Sequence, residues 1–271
     1  MEKRFKESLD YLKSQTGSVP ETGIILGTGL GNLVNDIDII EEVSYQDIPH
    51  FPVSTVEGHH GKLIFGHLSD RNVVAMKGRF HYYEGYSMEE VTYPVRILKL
   101  LGIKDIFISN AAGGVNPDFN IGDLMLIHDH ISFFPDNPLR GKNMGDFGPR
   151  FPDMSRVYDP GLIELAIKTA GKLGIPLHQG VYLGNPGPSF ETPAEYIHYQ
   201  RIGADAIGMS TIPEVIVARH MGLKIFAISV ITNVAVKGNF QVNTHEEVQK
   251  AAEKAQVDLS SLIGAMLKSM G

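Results

Sequence analysis

The sequence predicts an α/β fold built on a largely parallel or mixed sheet. Segments of helical period alternate with short apolar runs of strand character through much of the chain. Some of those runs, "TGIILG" (22–27) and "LKIFAISVITN" (223–233), are apolar nearly throughout. That is the signature of strands covered on both faces. Several runs end in glycine, alanine or polar residues, where open α/β sheets hold their ligands.

Each element has its own local reason. Phe5, Leu9 and Leu12 fall at helical spacing near the N-terminus. "TGIILG" follows as a buried strand. "KLIFGHL" and "NVVAMKG" flank "SDRN" and read as a hairpin. "SMEEVTYPVRILKLLG" (87–102) is helical, with Ser87 as N-cap, Glu90 as its capping-box partner and Gly102 at its end. "IKDIFISNAAGG" (103–114) is a strand running into a loop of small residues. Helix (160–174), strand (179–184), helix (192–203), short strand (204–210), helix (211–222) and the long strand "LKIFAISVITN" come next, before a closing helix to residue 270. One stretch, "SFFPDNPLRGKNMGDFGPRFPDMSR" (132–156), has no period. Loops of this length are usually functional or disordered. We read it as a lid or subunit-contact loop because the α/β units on either side can share one sheet.

Composition narrows the function. The chain has 271 residues, long for one domain and short for two. Its net charge is -7 with no cluster of Lys or Arg, which argues against a nucleic-acid surface. There is no cysteine, so a thiol nucleophile, a thiolate metal site and a disulfide framework are all excluded. The N-terminus lacks an apolar core of signal-peptide length, and no apolar run reaches the roughly 20 residues of a membrane span.

Chemistry collects at four places. "GTGLGN" (27–32) has alternate glycines that let a backbone approach an anion. Its third glycine comes one residue early for a dinucleotide fingerprint, and a tight strand-to-helix turn explains it equally well. "EGHHGKLIFG" (57–66) carries paired histidines, but neighbours on a strand face opposite ways, so no metal is expected there. In "SNAAGG" (109–114) the alanines leave room for a ligand or for close packing. In "GNPGPSFETPAEY" (184–196) an apolar ring, Phe190, adjoins a carboxylate, Glu191, which suits a heterocycle bearing N–H groups but equally a helix start. A further stretch, "GRFHYYEGY" (78–86), sets Arg79, His81 and Tyr83 at spacing two. If extended, it puts all three on one face, either a wet edge strand or an anion site.

In order along the chain, "GTGLG", "EGHHGKLIFG", "GRFHYYEGY", "SNAAGGVNP", "NPLRG", "GPSFETPAE", "GADAIGMSTIPEVIVA" and "ITN" closely resemble the trimeric purine nucleoside phosphorylase family. The resemblance implies a single three-layer α/β/α domain over residues 1–271 with a central mixed sheet. It implies a cytoplasmic homotrimer without metal or organic cofactor, acting in purine salvage with inorganic phosphate as co-substrate. The reaction it implies is reversible phosphorolysis of 6-oxopurine (deoxy)ribonucleosides, such as inosine and guanosine, to the free base and α-(deoxy)ribose 1-phosphate.

By the same resemblance Thr28, His59, Arg79, His81, Ser210 and the Ala111 amide bind phosphate. Tyr83, Met209 and His245 contact ribose, joined by Phe151 donated across a subunit boundary. Phe190, Glu191, Ile207 and Asn233 hold the base. The catalytic group is His81, Glu191, Asn233 and His245, and Glu84 orients Arg79 or His81. Val234 stands where some members have lysine, which leaves guanine against hypoxanthine unranked. A 5'-methylthioadenosine phosphorylase shares the fold but reads a 6-aminopurine, which Glu191 and Asn233 disfavour. An NAD-dependent oxidoreductase needs a later third glycine in "GTGLG", and a non-catalytic nucleoside-binding module needs no phosphate cluster.

Overall fold

The computed structural model describes residues 2–53, 61–235 and 245–270. In chain order these form α1 (Lys3–Gln15), β1 (Thr22–Ile25), β2 (Asp38–Ser44), β3 (Lys62–Leu68), β4 (Arg71–Lys77), α2 (Met88–Leu101), β5 (Asp105–Gly114), β6 (Leu124–Ser132), α3 (Pro160–Leu173), β7 (Leu177–Gly184), α4 (Pro193–Arg201), β8 (Ala206–Gly208), α5 (Ile212–His220), β9 (Lys224–Val234) and α6 (His245–Met270).

All these strands belong to one mixed sheet, ordered β2-β3-β4-β1-β5-β8-β7-β6-β9. β1 lies parallel between β4 and β5, while the β2-β3-β4 meander is antiparallel. β9 pairs antiparallel with β6 and parallel with β5, so β5, β8, β7, β6 and β9 close into a ring. Along β5, Ile106 and Ile108 enter one core and Phe107 the other. In β9, Ile225 and Ala227 likewise oppose Phe226 and Ile228. The period-2 alternation thus feeds apolar side chains to both faces of the sheet. Helices α1, α2 and α5 cover the first core, and α3 and α6 the second. Helix, sheet, helix is the expected three-layer arrangement.

Local signals hold where they were strong. Ser87 Oγ accepts from the Glu90 amide, and Glu90 Oε2 accepts from the Ser87 amide at 2.8 Å, so the capping box forms as read. Gly102 ends α2 in the left-handed region, at φ 117°. The β3–β4 hairpin turns through Ser69 and Asp70, both at positive φ. Two strands escape the pattern. β2 is an edge strand with Ile39 and Ile40 exposed, so it lacks an apolar face to read. In β6, four buried residues precede an exposed polar stretch, a change of burial that breaks any single period. "GRFHYYEGY" is not a strand: His81 caps a 3-10 turn over Tyr82–Glu84.

Residues 133–156 contain no helix or strand. The flanking strands β6 and β7 are parallel neighbours in the same sheet, so the loop does not link two sheets. It is anchored by Leu139, Met144 and Phe147, which pack against the first core; the Phe147 ring meets Phe5 edge-on at 5.1 Å.

Phe107 is buried in the second core with its ring 5.0 Å from Phe226. Phe107→Ala is expected to lower folding stability by about 3–5 kcal/mol, the usual cost of a large core truncation. Urea denaturation of parent and variant, followed by far-UV circular dichroism, measures it.

Candidate active site

The strand ends meet at one cavity of about 350 Å³. β5 remains strand through "NAAGG", where a loop was expected, because β9 and β8 pair with it to its last residue. That register sets Gly113 beside both Asn233 of β9 and Ile207 of β8. A Cβ on Gly113 would stand 3.1 Å from Asn233 Nδ2. The small residues of β5 therefore let the Asn233 amide lie across the sheet, and Ala111, Ile207 and Asn233 line the cavity together.

Arg79 lines the same cavity and is itself buried. Its Nε donates to Glu214 Oε1 at 2.9 Å, with both side chains 3% exposed. Its Nη1 donates to the Ser109 carbonyl and to Ser210 Oγ, each at 3.1 Å. Its Nη2 is buried with no partner among the described residues. The guanidinium is thus held through two of its three nitrogens. Glu214 supplies this restraint from the first turn of α5, where a carboxylate also suits the helix dipole. Sequence reasoning missed it, since an internal "PEV" resembles any helix start. Glu84, expected to orient Arg79 or His81, holds His81: its Oε1 lies 2.8 Å from the His81 amide and 3.0 Å from Nδ1.

His81 stacks on Tyr83 at 4.6 Å with the rings 14° apart. Alternate strand positions do not align these side chains; the turn stacks them. Burial, with Glu84 nearby, pushes the Tyr83 phenol up to about 12, so it stays a neutral hydroxyl at physiological pH. Thr28 lines the cavity from "GTGLG". There Gly29 has φ 74°, and a Cβ would come within 2.8 Å of Ala252 on α6. This glycine serves a tight turn against a helix.

Ser210 also lines the cavity, and Thr211 after it has φ 71° and ψ -56°. A β-branched residue there is strained, at a cost of about 1–3 kcal/mol. The Thr211 hydroxyl accepts from Asn110 Nδ2 at 2.9 Å, which helps hold the bend. On the remaining wall stand Phe190, Glu191 and Met209. Glu191 Oε1 accepts from Asn185 Nδ2 at 2.7 Å, a partner not anticipated from sequence. Tyr196 and Thr232 line the cavity as well, without a sequence signal that separates them from ordinary core residues.

Phe151 is not in this cavity. It is 86% exposed and lines a separate depression with Phe134, Arg140 and Ile216. His59 and the side chain of His245 lie outside the described residues.

A buried cationic fork, a stacked imidazole and phenol, and an amide and carboxylate beside an aromatic ring can receive an anion and a polar heterocycle in one chamber. Comparison with known proteins identifies the family. The family model described as the phosphorylase superfamily matches residues 21–268. A protein of Bacillus subtilis (strain 168) named purine nucleoside phosphorylase 1 is 49% identical over 267 residues, covering 98% of each chain. The crystal structure of Schistosoma mansoni purine nucleoside phosphorylase in complex with adenosine superimposes with a TM-score of 0.94 at 42% identity, covering 98% of this chain and 97% of that one. The same enzyme in complex with inosine gives the same score and identity, over 98% and 95% of the two chains. The chain belongs to the phosphorylase superfamily and, within it, to the purine nucleoside phosphorylases.

Removing one partner of a buried ion pair leaves the other uncompensated. Glu214→Gln is expected to cost about 3–5 kcal/mol of stability, by the usual penalty for a broken buried pair. Replacing Arg79 by Met in the same chain should recover part of that loss. Chemical denaturation midpoints of the single and double variants provide the check.

Proposed function

We propose that this purine nucleoside phosphorylase is selective for 6-oxopurine nucleosides, and that it acts as a cytoplasmic homotrimer in purine salvage without metal or organic cofactor. As a pentosyltransferase it cleaves the glycosidic bond of purine nucleosides with phosphate. Assembly and setting rest on the family resemblance. The selectivity rests on one observation: Glu191 and Asn233 share a cavity with the Arg79–Ser210 pair.

In this reading Arg79, Ser210, Thr28, His59, His81 and the Ala111 amide bind phosphate. A charge-assisted hydrogen bond from a guanidinium to a phosphate oxygen is short and strong. Arg79 and Ser210, hydrogen-bonded at 3.1 Å, line the same cavity, which supports that role. Tyr83, Met209 and His245 bind ribose, and Phe190 and Ile207 pack on the base. Ionised Glu191 accepts from N1–H, and the Asn233 amide donates to N7 or O6. As the glycosidic bond lengthens, the sugar becomes cation-like and the purine anion-like. Phosphate on the opposite face stabilises the sugar and then bonds to it. Asn233 stabilises the leaving base, a contribution of about 3 kcal/mol for one well-placed donor.

Incubation with inosine, with and without phosphate, tests the reaction. Phosphate-dependent release of hypoxanthine is expected; release without phosphate would indicate a hydrolase. In the same assay Arg79→Ala should reduce phosphate kcat/KM by at least roughly tenfold, the value of a charged hydrogen bond, with nucleoside binding far less affected.

Adenine reverses the hydrogen-bond pattern, placing a lone pair on N1 and a donor at position 6. Mismatched buried groups cost about 1–3 kcal/mol each, and polar sites reject such analogues strongly. Adenosine should therefore be poorer than inosine by orders of magnitude. Asn233→Asp should move the ratio of kcat/KM values toward adenosine by several-fold while lowering inosine turnover. An unmoved ratio would remove Asn233 from position 6.

Phe151 in this reading covers the ribose of a neighbouring subunit. Its exposure of 86% leaves the ring accessible to a second subunit, which is the supporting observation. Phe151→Ala should raise the nucleoside KM by about tenfold or more, in line with burial of a Phe side chain. Sedimentation with parallel assays should find folded monomers with little activity.

A further inference from the structure

We propose that Asn185 is a specificity-determining residue that acts through Glu191 to favour 6-oxopurines over 6-aminopurines. The inference rests on the reading of Glu191 as the acceptor for N1–H. Asn185 follows directly on β7, is buried, and does not line the cavity itself. Three of its polar groups are engaged. Its amide donates to the Gly208 carbonyl at 3.0 Å. Its Oδ1 accepts from the Gly187 amide at 3.0 Å. Its Nδ2 donates to Glu191 Oε1 at 2.7 Å. The Gly187 N–H can only donate, so it identifies the side-chain oxygen of Asn185. The other end, which faces Glu191, is therefore the NH₂ group.

Glu191 thus meets a donor from behind. A carboxylate accepts that hydrogen bond strongly because it is charged; a neutral carboxylic acid accepts it more weakly. A 6-oxopurine presents N1–H and needs the carboxylate. A 6-aminopurine presents a lone pair at N1 and needs an O–H donor. Asn185 aims the Glu191 carboxylate as an acceptor, which matches the first base and not the second. It also holds Oε1, so the carboxylate cannot turn away to relieve a mismatch.

Two variants separate the donor from the loop tie. Asn185→Leu removes both the donor to Glu191 and the acceptor for Gly187. Asn185→Asp keeps an acceptor for Gly187, removes the donor and sets a second carboxyl group against Glu191. Steady-state kinetics with inosine, adenosine and phosphate are measured for each, alongside Glu191→Gln. The expected result is that the inosine-to-adenosine ratio of kcat/KM falls about tenfold in both Asn185 variants, the difference between a charged and a neutral hydrogen bond. The loss should appear chiefly as a higher inosine KM, with the phosphate KM unchanged. If Asn185→Leu does not accumulate as folded protein, Asn185→Asp carries the test. A parental ratio in Asn185→Asp, or an equal fall for both nucleosides and phosphate, overturns the inference. Should Glu191→Gln shift the ratio while Asn185→Asp does not, only this inference fails. A ratio unmoved by Glu191→Gln removes the base reading beneath it.

Discussion

The ion pair between Arg79 and Glu214 is the constraint on which the site depends. A guanidinium sealed in a protein interior is costly unless a carboxylate and further acceptors meet it. Here the 2.9 Å contact to Glu214 compensates the charge, and Ser109 and Ser210 take a second nitrogen. The remaining nitrogen has no partner among the described residues. In an acidic chain this sets a fixed guanidinium at the cavity without a basic surface. The pair also ties distant sequence together. Arg79 follows β4 and Glu214 sits on α5, so the sheet and the helix layer over it must both be in place before the fork can aim.

The opposite wall rests on backbone packing. Because β9 pairs with β5 to the end, "NAAGG" and "ITN" lie side by side. Only small residues in β5 leave space for Asn233. Closure of β5, β8, β7, β6 and β9 into a ring then brings the segment after β7, with Phe190 and Glu191, to the same chamber. Strain is concentrated there as well, at Thr211 between Ser210 and α5. A strained residue beside functional ones is a common feature of pre-organised sites.

The sequence was most legible where a local rule applies. Ser87 and Glu90 cap α2 as their spacing requires, and Gly102 ends it, because capping involves only neighbouring backbone groups. The near-continuous apolar runs of β1 and β9 foretold strands buried on both faces. Arg79, His81 and Tyr83 were singled out by spacing and do share the cavity, yet through a 3-10 turn and a ring stack. The edge strand β2 and the half-polar β6 were illegible because their burial follows from position in the sheet.

By itself the sequence determined the α/β class, most of the helices and strands, and, through its ordered motifs, the family. These are properties of short windows, set by periodicity, capping and turn chemistry. Only the tertiary structure decided that Glu214 holds Arg79 and that Asn185 meets Glu191 with a donor. The first of these contacts spans 135 positions of chain and the last is fixed by the fold of a loop. The partner of Arg79 is chosen by distance and direction in space, which no single window of sequence contains.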